Sequence, residues 1–275
     1  MLILVNAIMN AKCLKECEQQ LKGEMVMEFR NREELNNFLN TLKYVGEGIQ
    51  GQSLLDKKTN QVYKIFSEEE LEGADYGYTY NDIMGLSHIK NDTFIWPSDV
   101  IMIDDLVAGY THSYFEGENF CDFNDPLGVN LDNLSYAVAR ANEDIKLLSR
   151  RKVEINDLLY NLMFDGKRIK VIDTFEFRKG DITYLENVED LNNEIKMFLV
   201  DGYFENIVLD NKRLYKTYYD NSISALTFLK LFRKYLEKIK NQEIKYLSDA
   251  RDLANTDFGE RRYIRNYSKK RFLLR

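Results

Sequence analysis

The sequence predicts an α+β fold, with strands early and helices late. Three observations carry that prediction. Residues 42–66 read as three short strands broken by the turn-forming segments GEGIQGQ and DKKTNQ. Residues 131–149 and 222–241 carry the long apolar stripes of helices. One small hairpin, within residues 162–172, interrupts the helical half. Strands and helices therefore do not alternate as they would in βαβ units.

Each element has its own reason. Residues 31–43 place Leu35, Phe38 and Leu42 on one helical stripe, with Asn31 able to cap it. Residues 61–66 alternate so that Val62, Lys64 and Phe66 share a face of a strand. The acidic run at 68–72 suits a helix start, where the dipole favours negative charge. Strand-like segments return at 99–103 and 106–114. In 131–149, Leu134, Val138, Ala141, Ile145 and Leu148 recur at helical spacing. Residues 162–164 and 169–172 flank Asp165-Gly166, a hairpin signal. In 222–241, Leu226, Leu229, Phe232 and Leu236 mark an amphipathic helix.

A chain of 275 residues suits one large domain or two small ones. With 44% hydrophobic and 13% aromatic residues it can build a core without disulfides or metals, and disorder is excluded as its main state. A net charge of −7 argues against a general nucleic-acid binder. The charge is uneven, because residues 261–275 hold seven Lys or Arg and no acid. That segment reads as a solvated tail or a final helix on an acidic face, and alternatively as one that seeks phosphates or a membrane surface. Cys13, Cys17 and Cys121 do not suggest an oxidised framework. Cys13 and Cys17 suit one helix face and, without nearby histidines, read as idle thiols. The opening MLILVNAIM is too short to span a bilayer and lacks the marks of a signal peptide. A cytoplasmic protein with no transmembrane segment is expected.

Two constellations could do chemistry. Gly46, Gly48 and Gly51 lie in a strand-turn-strand, with Lys64 on the next strand. Glycines there let a backbone approach phosphates, and Lys64 would bring a point charge to them. An ordinary hairpin with an outward lysine is the plain alternative. Asn161 precedes one strand of the second hairpin and Asp173 follows the other, so their oxygens can converge. Hard Mg²⁺ takes such ligands, completed by phosphate and water oxygens. Asp157, just before Asn161, could accept a hydroxyl proton. A polar turn with a strand-end cap is the alternative here. His88 and His112 have no paired nucleophile motif.

Together these segments resemble the protein-kinase-like superfamily, in its compact bacterial form. The likeness rests on GEGIQGQS (46–53), VYKIF (62–66), LVAGYTHSYFEG (106–117), the helix at 131–149, NDLLYN (156–161) and VIDTF (171–175), in that order over 42–177. It implies a two-lobed fold. Residues 1–40 would be an N-terminal extension, 41–113 a β-rich small lobe, and 114–275 a helical large lobe with a basic tail. It implies an ATP- and Mg²⁺-dependent phosphotransferase acting on a hydroxyl acceptor, protein or small molecule. Gly46, Gly48 and Gly51 would cover the phosphates and Lys64 would hold them. The backbone from Ser113 to Phe115 would meet the adenine. Asn161 and Asp173 would bind Mg²⁺, and Asp157 would be the catalytic aspartate.

The sequence also departs from the family pattern. The family has five positions from catalytic Asp to metal-binding Asn, whereas Asp157 to Asn161 is four. Counting back five reaches Asn156, so both residues stay open for the catalytic place. The metal segment reads Asp173-Thr174-Phe175, with no glycine, and no APE-like segment follows. Asp82 stands at a plausible distance to partner Lys64. A catalytically impaired pseudokinase that binds nucleotide or serves as a scaffold is the alternative function.

Overall fold

The computed structural model describes residues 26–73, 77–201 and 203–254. Cys13, Cys17, the opening apolar run and the basic tail lie outside the described residues. The chain is α+β and divides into two compact units, the first reaching Lys90 and resuming at Trp96–Tyr114, the second comprising Asn91–Ile95 and everything from Phe115.

In the first unit, β1 (Val26–Phe29) leads into α1 (Arg32–Leu39). Asn31 caps α1, its Oδ1 accepting from the Glu34 amide at 2.9 Å, a contact worth about 1 kcal/mol. Then come β2 (Lys43–Gly48), β3 (Gly51–Asp56), β4 (Gln61–Phe66), α2 (Glu68–Gly73), α3 (Tyr80–Met84), β5 (Asp99–Ile103) and β6 (Leu106–Ser113). They form one six-stranded sheet in the order β1-β5-β6-β4-β3-β2. Every pair is antiparallel except β1 with β5, where Val26 faces Val100.

The period-2 pattern of β4 decides what each face carries. Tyr63 and Ile65 pack with Leu54, Ile101, Ala108 and the Leu35 and Leu39 side chains of α1. Fully burying each leucine contributes roughly 1.5–3 kcal/mol. Val62, Lys64 and Phe66 therefore occupy the other face. Residues 26–39, expected to belong to a separate extension, are part of this unit: they supply an edge strand and the helix that covers one face. The strand's partner, β5, lies far along the chain, so local pattern could not show the pairing.

The second unit contains β7 (Glu118–Asn119), α4 (Leu131–Arg150), β8 (Val153–Glu154), α5 (Leu158–Asn161), β9 (Leu162–Phe164), β10 (Ile169–Val171), β11 (Arg178–Lys179), α6 (Tyr184–Val200), α7 (Glu205–Leu209), α8 (Lys212–Tyr219) and α9 (Ala225–Lys240). All five residues of the predicted α4 stripe are buried, and α4 packs on α6 and α9. Strands β10, β9 and β7 form one small sheet, and β11 pairs with β8. Phe120 stacks on Phe164 at 5.3 Å and meets Phe198 edge-on at 4.8 Å, anchoring the hairpin to α6. Among the described residues no helix is long and apolar enough to cross a membrane.

Candidate functional site

In the first unit, Gly48 pairs with Gly51 across a two-residue turn, and Gly46 faces Ser53. Ser53 in turn faces Lys64, which faces Tyr110. The glycines differ in what they permit. Gly51 has φ +142°, and a Cβ there would sit 1.9 Å from the Ile65 carbonyl oxygen. Only glycine fits that close approach between strands. At Gly46 a Cβ would meet nothing within 4 Å, and at Gly48 only the Lys64 Nζ, at 4.0 Å. The Lys64 ammonium therefore lies beneath the turn, on a side chain only 7% exposed.

Asp82, considered from sequence as the partner of Lys64, is exposed and closes the capping box of α3. Its Oδ2 accepts from the Thr79 amide at 2.8 Å and the Thr79 hydroxyl at 2.6 Å. Ser113 ends β6, opposite Gln61. The next amide, of Tyr114, donates to the Asn60 carbonyl at 3.0 Å, so this member of the expected adenine-facing backbone already has a partner. Phe115 belongs to the second unit, where the Arg168 guanidinium lies 5.4 Å from its ring centre. A cavity of about 700 Å³ in the first unit is lined by Arg32, Tyr80, Asp105 and Leu106 among others. None of the nucleotide-, metal- or proton-handling residues expected from sequence lines it.

In the second unit, hairpin β9–β10 brings the oxygen-bearing residues to one end. The Ile172 amide, just before Asp173, donates to the Asn161 carbonyl at 3.0 Å. Asn161 Nδ2 donates to the Asp157 carbonyl, also at 3.0 Å. That orients the amide group and leaves its oxygen as the free end. Both Asp157 (φ 50°) and Asp173 (φ 59°) adopt left-handed backbone. This conformation is costly for a residue with a Cβ and gathers at functional sites. Partial desolvation, and then the Asp173 charge, raise the Asp157 carboxyl above its ordinary value, as suits a proton acceptor. Asn156, the other residue open for the catalytic place, donates its Nδ2 to the Glu176 carbonyl at 3.3 Å, a structural duty.

Two further residues were missed from sequence. Asn187, 3% exposed on α6, accepts from the Ile155 amide at 3.0 Å and donates to the Val153 carbonyl at 2.8 Å and the Ser149 hydroxyl at 2.9 Å. It clamps the strand that leads into Asp157. Asp190 stands one turn later. Its carboxyl is raised by desolvation first, then by Glu189 and Asp157. Asn187 lies four residues before Leu191, on the apolar side of its helix. A polar residue at such a position signals a buried tie, and that signal was available.

The donor set suits Mg²⁺: an Asn amide oxygen and an Asp carboxylate, both hard oxygens. Among the described residues no three of His, Cys, Asp and Glu gather into a metal-holding group. Mg²⁺ does not require such a group when phosphates complete its shell. Cys121 is buried, its thiol directed at the Leu159 carbonyl (3.3 Å) and the Glu194 carboxylate (3.5 Å). No protein-family model matches the chain, and no curated protein matches it.

Proposed function

We propose that this chain is an ATP- and Mg²⁺-dependent phosphotransferase with a two-lobed kinase-like fold, acting on a hydroxyl acceptor in the cytoplasm. The observation that carries the reading is the end of hairpin β9–β10. There Asn161 is tied to Asp157 on one side and to the residue before Asp173 on the other, and both aspartates hold costly left-handed backbone. The first unit supports it with a lysine ammonium under a glycine turn.

Each residue then has a defined role. Gly46, Gly48 and Gly51 let backbone amides come close to the phosphates, and Lys64 holds them by charge. The backbone at Ser113 receives the adenine. Asn161 and Asp173 hold Mg²⁺, which when bound neutralises phosphate charge. Asp157 orients the acceptor hydroxyl and takes its proton, and its raised pKa fits that task. The remaining acceleration comes from positioning and fixed charge.

The test is thermal unfolding with ATP, with and without Mg²⁺, beside Asp173→Asn. Ligand at 100 times its Kd stabilises by about 2.7 kcal/mol. A Mg²⁺-dependent rise in Tm that Asp173→Asn abolishes is expected. No shift at millimolar ATP overturns the reading. A shift without phosphoryl transfer to any acceptor would make the protein a nucleotide-binding pseudokinase. In an active enzyme, Asp157→Ala lowers kcat by at least about a hundredfold, the usual scale for a lost proton acceptor.

A further inference from the structure

Asp173 is bracketed. The residue before it is tied to Asn161 through the Ile172 amide. The residue after it, Thr174, is 1% exposed and donates its hydroxyl to the Ile95 carbonyl at 2.8 Å. Ile95 ends the short segment Asn91–Ile95, which belongs to this unit although it is remote from it in sequence. That segment lies along β10: the Ile95 amide donates to the Val171 carbonyl and the Val171 amide to the Thr93 carbonyl, both at 2.9 Å.

The far side of the segment is anchored as well. Asp144, on α4 and 8% exposed, accepts on one carboxylate oxygen from the Asp92 amide at 3.1 Å, the Thr93 amide at 2.9 Å and the Thr93 hydroxyl at 2.6 Å. Phe94 meets the Phe177 ring edge-on at 5.7 Å. A continuous chain of contacts thus runs from α4, through 91–95, to the residue that follows the strained aspartate.

We infer that Thr174 is a positioning residue, and that its hydroxyl, held by the 91–95 strap and Asp144, keeps Asp173 in the left-handed conformation a metal-binding carboxylate needs there. The metal role of Asp173 rests on the function proposed above; the positioning of its backbone does not. A left-handed aspartate persists only where its surroundings over-determine it. Here one tie acts on each side. A strap that merely filled space would need neither the hydroxyl nor the three donors gathered on Asp144.

The experiment compares wild type, Thr174→Val and Thr174→Ser in two arms. The first titrates Mg²⁺ against Tm in saturating ATP. Valine keeps the shape and loses the donor, so half-saturating Mg²⁺ rises about tenfold, the worth of one buried hydrogen bond, while the metal-free ATP shift is unchanged. Serine restores the wild-type value. The second arm follows amide hydrogen exchange across residues 169–177 without nucleotide, where valine accelerates exchange and serine does not. Exchange unchanged in Thr174→Val overturns the inference, whatever the nucleotide does. A serine variant as impaired as valine also overturns it, because packing rather than the hydroxyl would then be responsible. A wild type without any Mg²⁺ response sinks the proposed function, and the exchange arm still decides the positioning. If Thr174→Val does not fold, Asp144→Ala, which removes the accepting oxygen, releases the strap from its other side. It must show the same weakened Mg²⁺ response and faster exchange, or the inference fails.

Discussion

The two hairpins that carry the proposed chemistry are held in opposite ways. Hairpin β2–β3 lies at the edge of its sheet. Tyr44, Val45 and Ile49 are exposed there, Ile49 by 95%, and strand pairing is what fixes it. Hairpin β9–β10 is surrounded by buried side-chain ties from distant elements: Asn187 behind its entry, Thr174 and Asp144 behind its exit. An edge hairpin with open glycines can adjust to a phosphate chain. A metal-binding pair cannot afford such adjustment, since ligand geometry must be preset. Under the proposed function, the side-chain ties stand where ligand oxygens would converge, and the open edge stands where backbone would fold over a phosphate chain.

The largest test of this contrast removes a tie. Asn187→Ala deletes three hydrogen bonds and leaves the Ile155 amide and Val153 carbonyl buried without that partner. A loss of about 3 kcal/mol follows. Urea unfolding should show a lower midpoint with an unchanged m-value. A loss under about 1 kcal/mol would mean that packing alone holds the second hairpin.

Gly51→Ala asks the same of the first hairpin, where backbone proximity replaces side-chain ties. A Cβ 1.9 Å from the Ile65 oxygen at φ +142° forces the strands apart, at a cost of about 2 kcal/mol. A neutral outcome would show that the sheet edge yields freely and that β3 is not fixed by its pairing.

Lys196 tests whether every remote buried tie in the second unit is stabilising. It is 1% exposed and its Nζ donates to the Asp220 carbonyl at 2.8 Å. Burial pushes its pKa down to about 8, against the opposing pull of the Asp220 charge. Between pH 8 and its ordinary 10.5 the unfolded lysine keeps its proton while the folded one has lost it. The unfolded state then binds more protons, so stability rises with pH across that window. Below pH 8 both states are charged, and the fold carries the desolvation cost. Lys196→Met should therefore stabilise the protein at pH 7 by about 1–2 kcal/mol and flatten its stability between pH 8 and 10. Destabilisation at pH 7 would mean that the Asp220 bond outweighs the buried charge.

What could be read in advance follows the same division. The cap at Asn31, the face alternation of β4, the α4 stripe and the β9–β10 hairpin all depend on neighbours within a few residues. Their patterns were complete in the sequence. The ties around the second hairpin depend on partners many residues away. Asn187 shows as a polar residue on the apolar side of α6, but its partners do not show, and Asp144 reads as one more charge on α4. Yet Asp144 falls three residues after Ala141 and beside Ile145, inside the apolar stripe. A carboxylate at such a place must find donors. The segment 91–95 carried no pattern of its own, because its extended form comes from pairing with Val171. The parallel strand β1 was lost for the same reason.

The smallest expected effect on stability is the sharpest on function. At Gly46 a Cβ meets nothing within 4 Å, and this glycine is not among the residues with positive φ. Gly46→Ala should change stability by no more than about 0.5 kcal/mol, with the reduced freedom of the unfolded chain favouring alanine. The same methyl stands where a phosphate would need close approach to backbone. Under the proposed function, ATP affinity should fall severalfold while the fold is untouched. Gly51→Ala would show the reverse emphasis, with stability lost first. Equal ATP affinity in Gly46→Ala and wild type would mean that the open turn serves no ligand, and the flexible half of the comparison would reduce to an ordinary edge hairpin above Lys64.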